Sequence, residues 1–232
     1  MYIDALAKLG VGGAHPGGLS LTEKLIGTEK IDTHSRVLDI GCGTGQTSAY
    51  LYKQFQCHVT ACDIHPVMVE KANDRIKKLN IPFQATIANA EALPFPDQHF
   101  DIVISESVIA FTNIEQSLKE FHRVLKKGGK LLAIEMTHDG TLSTKDLKEI
   151  KKFYLLEKVM TKKDWQNVLE DCQFSAIQID RFKMDESNAK NTTDFQPSPS
   201  IEKEVQHIFL EHEKLMIVHQ FSLFPSIIKA QK

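Results

Sequence analysis

Short apolar runs alternate with amphipathic helical stretches along the first 136 residues of this chain. The clearest run, Arg36–Ile40, holds one acid among apolar residues, which is typical of a central parallel strand covered on both faces. Other runs fit strands for similar reasons. The predicted strands of this region are 36–40, 57–63, 84–88, 100–105 and 130–136.

Amphipathic periodicity places helices between these strands. The predicted helices are 19–26, 46–55, 67–79 and 114–125, and the last is followed by a Lys-Lys-Gly-Gly segment that supplies a cationic end and a glycine stop. Strands that alternate with helices imply right-handed crossovers. They predict a doubly wound α/β fold whose sheet is mostly parallel.

The pattern changes after residue 136. Helical periodicity continues at 144–159, and Thr161 and Asp164 stand in capping-box spacing at the start of another helix. The remaining predicted elements are a strand at 175–182, a polar loop at 185–200, a helix at 201–215 and a strand at 216–223. Pro225 would mark the end of that strand or a sheet edge. The predicted sheet then has seven strands.

Bulk properties restrict the classes of partner. A chain of 232 residues can form one α/β domain, and 42% hydrophobic residues are ordinary for a globular protein. A net charge of −2 without basic clusters argues against nucleic acid. No apolar run reaches bilayer length and residues 1–10 are unlike a signal peptide, so we expect a cytoplasmic protein without membrane contact. Four cysteines without a C-x-x-C pair predict reduced thiols and no metal site.

Three glycines directly follow the first predicted strand. Gly41, Gly43 and Gly45 permit a sharp turn and close approach of a ligand to the backbone, and the next helix points its N-terminus at this loop. The dinucleotide fingerprint Gly-x-Gly-x-x-Gly has its third glycine one residue later, where this chain has Gln46. The loop therefore favours a different cofactor, and a tight turn in some other α/β fold is the alternative.

The order Leu-Asp-Ile followed by Gly-x-Gly-x-Gly resembles motif I of class I S-adenosylmethionine-dependent methyltransferases. The resemblance implies that Gly41, Cys42, Gly43 and Gly45 cradle the methionine end and the ribose of S-adenosylmethionine. It places Asp39 near the methionine ammonium, and the alternative is that Asp39 holds the loop through backbone N–H groups. It also implies late antiparallel strands at one edge of the sheet.

Acids and a serine at strand ends extend this resemblance. Asp63 closes the second predicted strand, eighteen positions after Gly45, where a carboxylate can accept both ribose hydroxyls. An ordinary acid of a strand-end turn is the alternative. The resemblance places Ile64 against the adenine and directs the backbone carbonyl of Ser105 to the cofactor amine. Glu106 would then lie at the mouth of the acceptor pocket.

A second stretch, 88–101, resembles the signature of small-molecule "type 11" methyltransferases, a group that includes quinone-biosynthesis enzymes. In that signature an acid accepts from the adenine N6 amine, and the next backbone N–H meets N1. This chain has Asn89 in place of the acid, followed by Ala90 and Glu91. An asparagine oxygen still accepts a hydrogen bond, although Asn89 could instead be only a turn former.

The acceptor side carries fewer signals. Residues 1–30 include four glycines around His15 and are predicted to form a lid, with His15 as a general base or as a turn residue fixed by Pro16. Residues 31–136 would be the cofactor-binding core of the single domain, and 137–232 its acceptor-side helices and edge strands. Six aromatic residues could line an apolar acceptor pocket or pack in the core, namely Phe111, Tyr154, Phe195, Phe209, Phe221 and Phe224.

Together these residues predict an enzyme that transfers a methyl group from S-adenosylmethionine to a small-molecule acceptor by in-line displacement and releases S-adenosylhomocysteine. Such a reaction needs mainly alignment and desolvation, which fits a chain with a cofactor loop and no nucleophile motif. Two alternatives stay open, another enzyme on the same scaffold and a non-catalytic protein that binds S-adenosylmethionine. The sequence leaves the acceptor atom and the oligomeric state open.

Overall fold

The computed structural model describes residues 2–15, 17–182 and 194–232. We number its helices and strands in chain order. They are α1 (Tyr2–Leu9), α2 (Gly18–Ile26), β1 (Arg36–Ile40), α3 (Gln46–Phe55), β2 (His58–Asp63), α4 (Pro66–Lys78), β3 (Thr86–Ile87), β4 (Phe100–Glu106), a 3-10 turn (Ile109–Phe111), α5 (Ile114–Val124), β5 (Leu125–His138), α6 (Thr144–Tyr154), α7 (Lys162–Asp171), β6 (Ser175–Arg181), α8 (Lys203–Val218) and β7 (Leu223–Gln231).

The strands form one seven-stranded sheet in the order β3-β2-β1-β4-β5-β7-β6. The pairs from β3 to β5 are parallel, whereas β7 runs antiparallel to both β5 and β6. The predicted doubly wound, mostly parallel sheet with a late antiparallel strand is therefore confirmed. The proposed division into segments 1–30, 31–136 and 137–232 stays a prediction.

Strand β1 occupies the centre of the sheet because both of its faces are covered. Leu38 and Ile40 pack into the apolar cluster on one face, while Val37 packs into the cluster on the other. Chain order reverses at β1, since β2 pairs on one side and β4 on the other. Ligands bind doubly wound folds in the crevice at such a switch point, beyond the carboxyl ends of the strands.

The prediction was wrong about the last helix and strand. Helix α8 continues through Val218, and the strand is Leu223–Gln231, so Pro225 lies within it. The apolar residues at 216–218 continue the helix, although their composition also suits a strand. The carbonyl of Pro225 accepts from Phe182 N–H, just beyond the last residue pair between β6 and β7. The proline nitrogen, which carries no hydrogen, faces the same side, where that ladder ends. No ladder hydrogen bond is therefore lost, and the proline is tolerated.

Smaller differences concern length and one unpredicted helix. Strand β3 has two residues where five were predicted, and α6 ends at Tyr154, five residues early. Helix α1 was not predicted, and β5 begins at Leu125, within the predicted helix end. Residues 185–193 of the predicted loop lie outside the described residues. In the part of the chain that is described, no helix is long and apolar enough to cross a membrane.

Candidate functional site

A cavity of about 590 Å³ lies beyond the carboxyl ends of β1, β2, β4 and β5. Its floor includes the glycine loop after β1 and residues 63–65 after β2. The remaining walls come from α1, residues 11, 13–15, 17 and 18, the 3-10 turn, the end of α6 and α8. The position and size of the cavity are those of a ligand site at the switch point of a doubly wound sheet.

The three glycines of the loop have different surroundings. A Cβ on Gly41 would lie 2.2 Å from Val108 Cγ2, so no other residue fits at this contact. Gly43 has a φ of +52°, and a Cβ there would meet no atom within 4 Å, which leaves its face open to the cavity. Gly45 packs against Ala72 of α4 and does not line the cavity. It shapes the loop from behind.

Asp39 lies under the glycine loop, almost fully buried, at the edge of the cavity. Its carboxylate accepts a hydrogen bond from the Ser48 hydroxyl at the start of α3. Burial, with the nearby charges of Glu106 and Asp63, raises the pKa of Asp39 to about 7. This side chain therefore ties β1 to the helix that follows the loop.

Asp63 ends β2 and holds the loop from the other side. One carboxylate oxygen accepts from Gly43 N–H at 2.9 Å and the other from His65 N–H at 2.8 Å. Burial raises the pKa of Asp63. Each oxygen keeps a further lone pair, and both Asp63 and Ile64 line the cavity. The Ile64 side chain is 59% exposed, which leaves an apolar surface beside the carboxylate.

Asn89, Ala90 and Glu91 also line the cavity. The Asn89 side-chain oxygen accepts from Glu91 N–H at 2.9 Å, and the Glu91 carboxylate accepts from Asn113 N–H at 2.9 Å. Asn89 is thus a turn former, the alternative considered from the sequence. Its oxygen retains a second lone pair for a ligand.

The end of β4 differs from the expected arrangement. Ser105 is fully buried between β1 and β5 and does not line the cavity, whereas Glu106 and Ser107 do. Ser105 pairs with Ile40 and Ala133 in the parallel ladders, so its position is within the sheet. The carboxylate of Glu106 is the first β4 group to reach the cavity.

Glu106 connects three separate parts of the chain. Its carboxylate accepts from the Thr47 hydroxyl of α3 at 2.7 Å and from the Thr22 hydroxyl of α2. His15 Nε2 lies 3.2 Å from Thr22 Oγ1 and 3.5 Å from Glu106 Oε1. His15 is buried, and its carbonyl also closes a turn by accepting from Gly18 N–H; Pro16 lies outside the described residues. Sequence reasoning missed Thr22 and Thr47, because only the fold brings them together.

Glu135 of β5 is a second residue that the sequence did not reveal. It is almost fully buried, and its carboxylate accepts from the backbone N–H groups of Val108, Ile109 and Ala110. Burial raises the pKa of Glu135 to about 7. The contact fixes the 3-10 turn that carries one wall of the cavity.

Four of the six predicted aromatic residues line the cavity, namely Phe111, Tyr154, Phe195 and Phe209. Phe221 is exposed, and the ring of Phe224 lies under the Arg181 guanidinium. Within residues 2–15, 17–182 and 194–232, no group of three or more His, Cys, Asp or Glu is placed to hold a metal ion.

Comparisons with known proteins agree with this geometry. Residues 38–133 match the family model described as "Methyltransferase domain". An "Uncharacterized methyltransferase YodH" from Bacillus subtilis (strain 168) is 32% identical, over 93% of this chain and 92% of the relative. The chain belongs to this methyltransferase family. The resemblance found in the sequence is thus confirmed, and this family member is an S-adenosylmethionine-dependent methyltransferase.

Other similar proteins extend the comparison. A "Ubiquinone/menaquinone biosynthesis C-methyltransferase UbiE" from Laribacter hongkongensis (strain HLHK9) is 36% identical over 58% of this chain and 55% of the relative. The crystal structure of the MccD protein superposes on this chain with a TM-score of 0.74 at 20% identity, and the match covers 95% of this chain and 99% of that one. A Haemonchus contortus phosphoethanolamine N-methyltransferase 2 in complex with S-adenosyl-L-methionine gives 0.73 at 19% identity, over 94% and 53%. These two structures share the fold of this methyltransferase.

Proposed function

We propose that this methyltransferase transfers the methyl group of S-adenosylmethionine to a small-molecule acceptor and releases S-adenosylhomocysteine. The observation that carries the proposal is a single cavity with two unlike ends. One end has the glycine loop and the carboxylates of Asp39 and Asp63, and the other has mainly aromatic and aliphatic side chains. A cavity of about 590 Å³ suits a small acceptor, and a net charge of −2 does not suit nucleic acid.

The polar end fits S-adenosylmethionine by its shape and its hydrogen-bonding groups. The open face of Gly43 leaves room for the methionine part beside Gly41 and Cys42, and Asp39 and Glu106 supply negative charge for its ammonium. The unused lone pairs of Asp63 suit the ribose hydroxyls. Gly45 acts indirectly by packing on Ala72.

The adenine would lie between apolar and polar neighbours. The exposed Ile64 side chain offers an apolar surface next to Asp63, and the turn with Asn89, Ala90 and Glu91 offers polar groups to the adenine edge. Ser105 is buried within the sheet between β1 and β5, so Glu106 replaces it in the proposed contact with the methionine ammonium.

A bound sulfonium cofactor supplies an electrophilic methyl group for direct in-line displacement. The chain's own residues then have to align the acceptor and exclude water. His15 would receive the proton that the acceptor loses, and its contacts with Thr22 and Glu106 would orient its ring. The glycines at 12, 13, 17 and 18 would let residues 1–30 open and close as a lid.

Titration calorimetry and a turnover assay test this proposal together. We expect S-adenosylmethionine and S-adenosylhomocysteine to bind and NAD not to bind. Formation of S-adenosylhomocysteine with a metabolite extract would distinguish an enzyme from a non-catalytic binder. Binding of NAD without binding of the sulfur compounds would overturn the proposed function.

We also propose that the enzyme works in the cytoplasm. All four cysteines, Cys42, Cys57, Cys62 and Cys172, are buried free thiols. Free thiols in place of disulfides are typical of a reducing compartment. Fractionation of cells that produce the tagged protein checks this location.

A further inference from the structure

We call the part of the cavity that is lined by α1, the 3-10 turn, α6 and α8 the acceptor chamber. Its walls are Tyr2 and Leu6 of α1, Phe111 of the 3-10 turn, Tyr154 of α6, and Phe209 and His212 of α8. Phe209 and His212 stand three residues apart on α8, and Met216 of the same helix lines the cavity four residues later. This spacing places all three on one helix face.

Aromatic rings dominate the chamber. The Tyr2 ring meets Tyr154 edge-on with centroids 4.8 Å apart, and it lies nearly parallel to Phe111 at 6.3 Å. The His212 ring is 5.0 Å from Tyr2. Tyr2 and Tyr154 are buried against each other, whereas Phe111, Phe209 and His212 are only partly buried. The partly buried rings leave flat faces and edges for a ligand, which suit a planar ligand better than a branched aliphatic one.

Most carboxylates of the cavity lining lie at the other end, apart from Glu135 beneath the 3-10 turn. Among the described lining residues, the Asp and Glu side chains are Asp39, Asp63, Glu91, Glu106 and Glu135, and the one Lys or Arg is Lys24, whose ammonium lies 5.5 Å from the Phe182 ring centroid. Glu135 already accepts three backbone N–H groups. A charged acceptor would therefore lose its hydration in the chamber without gaining an ion pair there. An anion meets no Lys or Arg among the described residues of the chamber, and the carboxylates that could attract a cation are those of the polar end assigned to S-adenosylmethionine.

One hydrogen-bonded pair breaks the apolar surface. Tyr154 Oη lies 2.7 Å from His212 Nδ1. Burial lowers the pKa of His212, so the imidazole is neutral at pH 7. A neutral imidazole and a phenol each donate one hydrogen bond and accept another, so the pair has capacity for a further polar group.

We infer that the methyl acceptor is an uncharged, planar aromatic molecule that carries a hydroxyl group, and that Tyr154 and His212 hydrogen-bond this hydroxyl. The inference rests on the proposed function, because it assigns the opposite end of the same cavity to S-adenosylmethionine. Tyr154 and His212 are then residues that determine acceptor specificity.

Four flat probes of similar size test the inference by calorimetry at pH 7 on the full chain saturated with S-adenosylhomocysteine. They are 2-naphthol, naphthalene, naphthalene-2-carboxylate and 2-naphthylmethylammonium. We expect 2-naphthol to bind, and both charged probes to bind at least about tenfold more weakly. Tyr154→Phe should weaken 2-naphthol about fivefold and leave naphthalene unchanged, because it removes one hydrogen bond. Tyr50→Phe, outside the cavity, is the matched control.

The outcomes separate the two proposals. Equal binding of naphthalene-2-carboxylate and 2-naphthol, or equal effects of Tyr154→Phe on 2-naphthol and naphthalene, overturns the acceptor class. So does failure of every probe to bind while S-adenosylhomocysteine binds. If S-adenosylhomocysteine itself does not bind, the proposed function is wrong and this inference falls with it. His212→Leu gives a second reading of the same hydrogen bond if Tyr154→Phe does not fold.

Discussion

Asp63 combines a structural contact with a proposed binding role at the level of a single side chain. Its carboxylate fixes Gly43 and His65 through their N–H groups. The same oxygens would receive the ribose hydroxyls of the cofactor. A residue with two such tasks affects binding more strongly than a surface acid, because its loss also loosens the loop that lies under the ligand.

Replacing this acid tests its role directly. We expect Asp63→Ala to weaken S-adenosylhomocysteine binding by about 1–3 kcal/mol, through lost hydrogen bonds to a charged group. Titration calorimetry measures the change. Asp101→Ala is the control, since Asp101 also accepts a backbone N–H, from Arg36, yet lies outside the cavity lining. Unchanged affinity in Asp63→Ala would remove this residue from the site.

The buried carboxyl group of Glu135 predicts a pH effect on stability. Its pKa is raised from 4.5 to about 7 in the folded protein, so folding favours the protonated form. The stability that this group contributes is fully present below pH 4.5 and is lost as pH rises through about 7.

Glu135→Gln keeps the shape of the side chain and removes the titration. We expect the free energy of unfolding of the wild type to fall relative to this variant by about 1–3 kcal/mol between pH 4.5 and pH 8. Urea unfolding of both proteins at several pH values measures the difference, and effects of other groups cancel. A difference that does not depend on pH contradicts the shifted pKa.

At the level of secondary structure, two short extended segments beside the cavity pair with each other, and we call this pair the roof of the cavity. Gly12 N–H donates to Asp194 O at 2.8 Å and Gln196 N–H to Gly10 O at 2.9 Å, so residues 10–12 and 194–196 pair like two short strands. Arg75 of α4 binds both this roof and the glycine loop. It donates to Thr44 O at 2.7 Å and forms an ion pair with Asp194.

Breaking the Arg75 contact should speed release of the cofactor product. We expect Arg75→Ala to raise the dissociation rate of S-adenosylhomocysteine roughly tenfold, because a charge-assisted link between loop and roof is lost. Stopped-flow competition measures this rate. Arg181→Ala removes an arginine that stacks on Phe224 away from the cavity, and it should leave the rate unchanged. Equal rates in the two variants would refute a role for Arg75 in release.

Elements with strong local signals could be predicted from the sequence, and elements that depend on distant contacts could not. The sequence located β1, the glycine loop and α3 within a residue, because apolar pattern and glycine spacing act locally. The boundary between α8 and β7 was not predicted, because the apolar residues 216–218 also suit a strand. In the structure Met216 belongs to α8 and lines the cavity. Likewise the Glu106, Thr22 and His15 cluster joins residues up to 91 positions apart, and only the fold shows it.

At the scale of the whole molecule, the strand order explains why the two ends belong to one cavity. The reversal at β1 opens a crevice that β2 and β4 flank, and α1 and α8 pack against each other above it. A ligand at the centre of the molecule contacts most of its layers. Its binding should therefore be visible in the global unfolding transition.

Thermal unfolding with added ligand checks this expectation. At a concentration of one hundred times its Kd, S-adenosylhomocysteine should stabilise the fold by about 2.7 kcal/mol. For a chain of this size, such a gain raises the Tm by about 5–10 °C. NAD at the same concentration serves as the comparison and should leave the Tm unchanged. The absence of any shift with S-adenosylhomocysteine would contradict a site at the centre of the fold.

The glycine loop is supported by three separate neighbours, with Val108 against Gly41, Asp63 bonded to Gly43 and Ala72 against Gly45. A change at any of these positions disturbs the others, so the donor end is resistant to sequence drift. The acceptor chamber draws its side chains mainly from α1, α6 and α8, none of which belongs to the sheet. New acceptor specificities can therefore evolve in these helices while the donor end stays unchanged, which makes this scaffold modular.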